Sequence, residues 1–125
     1  GEQIASILHE DVKSVFKTLI TKGKSNDYYA FMIPVNKELD LKKAAKTVCE
    51  KSVEMIPFKD LLKITGYVHG GCSPLGMKKQ YPTYIDESAL NWDTIYVSAG
   101  VRGLQLKLSP KDLSNECQAT FVKLV

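Results

Sequence analysis

Several short segments of this chain alternate hydrophobic with polar residues or are uniformly hydrophobic, and polar or turn-forming residues bound each of them. Such patterns are typical of β-strands. Because the polar segment 22–27 separates the first two segments, we expect those two to form a hairpin. The predicted strands cover residues 15–22, 28–35, 52–55, 83–86, 94–97, 104–108 and 120–124.

Apolar residues spaced three or four positions apart predict the helices. Asp40 can accept hydrogen bonds from the first N–H groups of a helix over residues 41–50, and a second helix is expected over residues 58–64. Ser109 followed by Pro110 predicts the start of a third, which reaches about Cys117. A short helix over residues 3–9 and a helical turn over residues 87–90 complete the prediction.

Many short strands with few helices, without regular alternation, indicate the α+β class. A chain of 125 residues can bury one core, so we expect a single domain over residues 1–125. Lys or Asp interrupts every apolar run before it reaches the ~20 residues that a membrane-spanning helix needs. The first residues also lack the basic and apolar regions of a secretion signal, which predicts a cytoplasmic protein.

The net charge of +3 is too small for binding along a nucleic-acid duplex, because each phosphate contact needs its own cation. Lys42, Lys43 and Lys46 share one predicted helix, and we interpret them as a solvated face. Lys78 and Lys79 end a glycine-rich segment, where a brief contact with an RNA end fits the small net charge.

That glycine-rich segment, residues 66–79, contains four glycines, one proline and two lysines. Adjacent glycines such as Gly70 and Gly71 let a ligand approach the main chain and can turn N–H groups toward an oxygen or phosphate. Glycine and proline also form ordinary tight loops. The composition alone leaves both interpretations open.

Lys17 is the only charged residue between Val15 and Ile20. Strand periodicity places it on the face of Val15 and Leu19, in a segment that is apolar on both sides. A buried ammonium is costly without a partner, so such a lysine is typical of a paired carboxylate or of a site for an anionic ligand. The alternative is a lysine that extends to solvent at the edge of the sheet.

Ser98 follows a predicted strand, together with the small residues Ala99 and Gly100. Strand ends commonly supply ligand contacts, although a serine there can also cap its own turn. His9 and His69 are the only histidines, and no pattern brings either to Ser98 with an acidic residue, so a Ser-His-Asp triad is not expected.

Three cysteines, without a CxxC pair, disfavour a disulfide framework and a structural zinc site. No metal and no cofactor are expected. Cys49 and Cys117 fall in helical patterns, where they are expected to be buried or incidental. Cys72 adjoins the glycine pair and would be a nucleophile if backbone N–H groups lowered its pKa.

Several ordered blocks of the sequence resemble the YbaK/EbsC family of aminoacyl-tRNA deacylases. They comprise residues 70–79, 82–86, 95–100 and 102–104, with upstream matches at residues 15–19 and 39–46. Members usually carry a longer N-terminal segment with an opening strand, so this chain is expected to be a shortened member. The resemblance implies a curled mixed sheet that approaches a barrel, flanked by helices, with the site at one mouth.

The resemblance also implies removal of cysteine from tRNA(Pro), with the substrate thiol attacking its own ester. Lys17 corresponds to the essential lysine of the family, and Gly70 and Gly71 would place N–H groups near the reacting carbonyl. Ser98, Ala99, Gly100 and Pro74 would contact the substrate. The implied partners are the tRNA(Pro) acceptor end and prolyl-tRNA synthetase.

Three alternatives remain at the level of sequence. The same fold could act on alanyl-tRNA(Pro) with water as the nucleophile. A non-catalytic module could bind the synthetase or RNA without turnover. A thiol-redox protein could use Cys72.

Overall fold

The computed structural model describes residues 12–125. The helix expected over residues 3–9 lies outside the described residues. A 3-10 turn, Val12–Ser14, precedes the first strand, and a second one, Glu87–Asn91, follows the fourth. The strands are β1 (Phe16–Gly23), β2 (Tyr28–Pro34), β3 (Val53–Met55), β4 (Thr83–Asp86), β5 (Ile95–Ser98), β6 (Gln105–Leu108) and β7 (Thr120–Val122). The helices are α1 (Leu41–Thr47), α2 (Phe58–Thr65) and α3 (Pro110–Cys117).

Five strands form one mixed sheet in the order β3-β1-β2-β4-β7, and β5 pairs with β6 in a separate two-stranded sheet. The first two strands are antiparallel, as the predicted hairpin requires, whereas β2, β4 and β7 are parallel to one another. The α+β class is therefore confirmed. The large sheet is not closed, so it approaches a barrel only loosely. In residues 12–125, no helix combines the length and apolar character needed to span a membrane.

The two edges of β1 are paired very differently. One edge pairs with β2 along seven residues, from Phe16 to Lys22. At the other edge, β3 pairs only with residues 21–23, and a single parallel bridge joins Val15 to Tyr96 of β5. Residues 16–19 therefore border an open edge of the sheet.

Both faces of the large sheet are covered by apolar packing. On one face, Phe16 and Met32 pack with residues of β5 and α3, and Ile20 packs with Leu61 of α2. On the other face, Phe31 and Ile33 pack against α1. Because both faces are packed and β2 pairs along one edge, the open edge is the side from which a ligand can reach β1.

The predicted helix caps are confirmed. Asp40 accepts hydrogen bonds from the N–H groups of Lys42 and Lys43, both at 3.0 Å, and Ser109 accepts one from Asp112. Helix α1 ends at Thr47, three residues before the predicted end. Cys49 lies beyond it in the left-handed region (φ 59°) and is exposed, so it is neither helical nor buried.

Asp86 connects the end of β4 to the C-terminal segment. Its side chain is 2% exposed. One carboxylate oxygen accepts a hydrogen bond from Leu124 N–H at 2.8 Å, and the other accepts from Ser88 N–H at 3.2 Å. The carboxylate thus satisfies main-chain donors from two segments.

We expect Asp86→Ala to lower the free energy of unfolding by about 2 kcal/mol, because it leaves the buried N–H of Leu124 without an acceptor. Urea denaturation would measure the loss. Asp93→Ala is the control, since Asp93 is exposed, and it should change stability by less than about 0.5 kcal/mol. Equal stability of both variants would contradict the role given to Asp86.

Candidate functional site

A cleft of about 250 Å³ lies at the open edge of β1. Its walls come from β1, from the glycine-rich segment, and from the end of β5 with the start of β6. Residues from both faces of β1 reach it because the cleft is at the strand's edge. Its lining residues are Phe16, Lys17, Thr18, Leu19, Val35, Leu61, His69, Gly70, Cys72, Ser98, Gly103, Leu104 and Gln105.

The main chain of β1 contributes polar groups to this cleft. Val15 C=O accepts from Val35 N–H, on the β2 side, whereas Ile20 C=O accepts from Ile56 N–H, on the opposite side. Successive residues of a strand direct their N–H and C=O groups alternately to its two edges. Phe16 and Thr18 therefore direct theirs toward the open edge.

Lys17 lies in the cleft lining and is partly buried. Within residues 12–125, no carboxylate forms an ion pair with it. From the sequence we expected a lysine at this position to pair with a carboxylate or to bind an anionic ligand. Among the described residues no carboxylate pairs with it, so of these two interpretations the anionic ligand remains.

The glycine-rich segment packs directly on the loop between β5 and β6. Gly70 has a φ of 85°, and a Cβ there would lie 3.3 Å from Arg102 Cγ. A Cβ on Gly71 would lie 3.3 Å from the carbonyl oxygen of Gly100, which is backbone and cannot yield easily. Arg102 Nε donates to His69 C=O at 2.8 Å and joins the two loops.

The two glycine N–H groups that the sequence singled out differ. Gly71 N–H donates to Val68 C=O at 3.0 Å, which commits it to a turn. Gly70 N–H makes no hydrogen bond to any residue in the described part of the chain. Of the two, only Gly70 lines the cleft and keeps a donor for a ligand.

Ser98 lines the cleft, and its Oγ also accepts a long hydrogen bond from Gly100 N–H at 3.5 Å. Both interpretations made from the sequence, ligand contact and turn cap, are therefore compatible with its position. The remaining predicted contact residues lie outside the cleft lining. Ala99 N–H donates to Leu104 C=O, Gly100 packs against Gly71, and Pro74 is buried.

Two cleft residues with polar side chains were missed by sequence reasoning. Thr18 Oγ1 and Gln105 Oε1 are buried and have no hydrogen-bond partner among the described residues. Gln105 pairs with Ser98 across β5 and β6, so their side chains share one face. Gln105 could have been found from that pairing, but Thr18 carried no signal, because strand periodicity placed it opposite Lys17.

Cys72 is 7% exposed, and burial raises the pKa of its thiol to about 11, against a smaller opposing effect of Thr65. A thiol with this pKa is almost entirely protonated at neutral pH and is a poor nucleophile.

The ring of His69 stacks on Phe58 with a centroid distance of 3.9 Å. Residues 12–125 contain no group of three His, Cys, Asp or Glu side chains able to hold a metal ion.

Comparison with known proteins identifies a family that this sequence matches. The sequence model of the aminoacyl-tRNA editing domain matches residues 2–115. A protein of Enterococcus faecalis, provisionally named Cys-tRNA(Pro)/Cys-tRNA(Cys) deacylase EbsC, is 46% identical over 99% of this chain and 76% of its own length.

Two further similarities extend the comparison. A segment of a proline–tRNA ligase of Fervidobacterium nodosum is 31% identical over 62% of this chain, which is 13% of the ligase. A crystal structure described provisionally as a trans-editing enzyme for prolyl-tRNA synthetase superposes with a TM-score of 0.89 and 25% identity, covering 98% of this chain and 77% of that one. This chain belongs to the family of aminoacyl-tRNA editing domains.

Proposed function

We propose that residues 1–125 form a single editing deacylase domain that removes cysteine wrongly attached to tRNA(Pro). The observation that carries the proposal is the convergence of Lys17, Gly70 and Ser98, from three separate segments, on one cleft. The named deacylase relative and the similarity to a trans-editing enzyme support the substrate class. Editing of this kind is needed because a synthetase pocket discriminates poorly between small side chains.

The reaction is an intramolecular transfer of an acyl group. The thiol sulfur of the esterified cysteine attacks its own carbonyl carbon, and the bond from that carbon to the ribose oxygen breaks. The products are a cysteine thiolactone and the free 3′ end of the tRNA, whose hydroxyl gains the thiol proton. The protein then supplies positioning and electrostatic stabilisation, and the attacking atom comes from the substrate.

Gly70 and Lys17 are the groups that would stabilise the negative charge of this reaction. The free N–H of Gly70 is suited to the oxyanion that develops on the carbonyl oxygen, because a fixed main-chain donor needs no reorganisation. The ammonium of Lys17 would hold a phosphate of the terminal nucleotide or share in stabilising the oxyanion. Since no described carboxylate pairs with Lys17, that charge remains available to the substrate.

Thr18, Ser98 and Gln105 would orient the aminoacyl group. Gln105 Oε1 can accept a hydrogen bond from the substrate's α-ammonium group, and Thr18 Oγ1 can bond to a polar group of the ester or the ribose. A buried oxygen without a partner costs free energy in the free protein. Substrate donors would remove that cost on binding, which favours a polar aminoacyl ester.

The partners would be the acceptor end of tRNA(Pro) and prolyl-tRNA synthetase. A segment of a proline–tRNA ligase resembles this chain, and this similarity supports association with prolyl-tRNA synthetase in trans. Because charged tRNA and its synthetase are cytoplasmic, we propose the same compartment for this protein.

Lys17→Ala should lower kcat/KM for cysteinyl-tRNA(Pro) by about 100-fold or more, because it removes the cation that contacts the substrate. Release of radiolabelled cysteine would measure this. Lys22→Ala, on the same strand but outside the cleft lining, should retain activity. Faster cleavage of alanyl-tRNA(Pro) than of cysteinyl-tRNA(Pro) by the wild type would contradict the proposed substrate, and binding without turnover of either would indicate a non-catalytic module.

Cys72→Ala should leave the deacylation rate close to that of the wild type, because its thiol is protonated at neutral pH. Alkylation followed by mass spectrometry should modify the exposed Cys49 first. The alkylation rate of Cys72 should keep rising toward pH 11, since deprotonation is complete only above its raised pKa of about 11. Loss of activity in Cys72→Ala with an intact fold would favour the thiol-redox alternative.

Thr18→Val should weaken activity by up to about tenfold, because the substrate loses one hydrogen-bond partner. The same change should leave the thermal midpoint unchanged or higher, since it removes a buried oxygen without a partner. Thr21→Val is the matched control, because Thr21 also lies on β1 but its Oγ1 donates to Tyr29 C=O of β2. That variant should lose stability and keep its activity; the reverse pattern would exclude Thr18 from substrate binding.

A further inference from the structure

Two aromatic rings lie exposed beside the cleft. Phe58, the first residue of α2, is 65% exposed, and its ring stacks on that of His69 with a centroid distance of 3.9 Å and an interplanar angle of 21°. Because each ring covers only one face of the other, flat aromatic surface remains open to a ligand. His69 is also anchored through its main chain by Arg102, which fixes the position of the pair.

These rings border a second compartment of about 360 Å³. It adjoins the cleft, because both share the lining residues Lys17, Thr18, Leu19, Leu61 and His69. Its own additional walls are Ile20, Met55, Ile56 and Phe58, so six of its nine lining residues are apolar. The site therefore has a polar compartment and an apolar one, with the ammonium-bearing Lys17 at their boundary.

We propose that the apolar compartment binds the 3′-terminal nucleobase of the RNA, stacked on the Phe58–His69 pair. The inference rests on the proposed function, in which the neighbouring cleft holds the aminoacyl ester of the same nucleotide. A nucleobase is flat and largely apolar on its faces, and base–aromatic stacking is a principal source of single-strand affinity.

Connectivity and charge both favour this occupant. The ester, the ribose and the base belong to one nucleotide, so adjoining compartments must hold the ester and the base with the sugar between them. Lys17 lies at that boundary, where it can reach the ribose or its phosphate. No lining residue of either compartment is acidic, so nothing in the walls repels a polyanion.

An RNA stem with a CCA end, carrying 2-aminopurine as its terminal base, tests the inference, because the fluorescence of this base is quenched by stacking. The wild type should quench the fluorescence of 2-aminopurine, and Phe58→Leu should raise the dissociation constant of the RNA about tenfold. An RNA that lacks the terminal base should bind the wild type about tenfold more weakly than the intact RNA does. Phe58→Leu should bind the two RNAs equally, because it has already lost the stacking contact.

Two variants serve as controls. Leu62→Ala alters another exposed apolar residue of α2 that lines neither compartment, and it should bind the RNA as the wild type does. Phe58→Tyr keeps an aromatic ring and should retain the quenching. In deacylation assays, Phe58→Leu should raise KM and leave kcat nearly unchanged, since Phe58 contacts the base and not the ester.

The inference is overturned if Phe58→Leu and the wild type bind and quench equally, or if Leu62→Ala is as weak as Phe58→Leu. Its failure can be separated from that of the proposed function. Deacylation that persists with no dependence on Phe58 or on the terminal base refutes the stacking site alone. Quenching that depends on Phe58, without deacylation of any charged tRNA, refutes the proposed activity and supports the stacking site.

Discussion

The unequal pairing of the two edges of β1 is the constraint on which the site depends. Seven residues pair with β2, but the opposite edge meets a three-residue strand at one end and a single bridge at the other. An open stretch of strand in a folded protein is normally covered, because it presents unpaired N–H and C=O groups. Here the stretch at residues 16–19 borders a cleft, so main-chain groups of Thr18 that would otherwise form a ladder face the cleft. Both faces of the sheet are packed, which leaves this edge as the route by which a substrate reaches β1.

The opposite wall of the cleft is rigid because two loops are in backbone contact. Gly71 packs against the carbonyl of Gly100, and Arg102 donates to His69 C=O from the same loop. Tyr67 adds a third connection, since its hydroxyl donates to Leu75 C=O at 2.5 Å while its ring packs beside Gly100. A donor such as Gly70 N–H is useful for catalysis only when its position is fixed before the substrate arrives. The glycines therefore allow close approach of the loops, and Gly70 N–H keeps no hydrogen-bond partner among residues 12–125.

Secondary structure was largely predictable, because periodicity and capping are local properties. Asp40 and Ser109 cap the helices that their positions indicated, and each predicted strand within the described residues is present to within a few residues. The position of the cleft depends on which strand edge stays unpaired, and no local sequence pattern contains that information. Thr18 was missed for the same reason. Strand periodicity places Thr18 and Lys17 on opposite faces of the sheet, but a cleft at the edge of the strand is lined by both residues. The early end of α1, at a left-handed Cys49, likewise had no signal in a residue that rarely adopts that conformation.

The chemistry of the cleft is consistent with a substrate that brings its own nucleophile. The one thiol in the lining, Cys72, is held protonated by burial, and the one histidine in the lining is engaged in stacking. What the walls offer instead is a cation, a main-chain N–H group and two buried oxygens, none of the last three with a partner among residues 12–125. Groups of this kind position an ester and stabilise its developing charge, but none of them attacks it. A second thiolate beside the ester would compete with the substrate thiol and form an acyl-enzyme, so the raised pKa of Cys72 is compatible with the proposed intramolecular route. On the proposed mechanism, an ester with a side-chain thiol carries the nucleophile that the described cleft residues do not offer, and this favours cysteine as the amino acid removed.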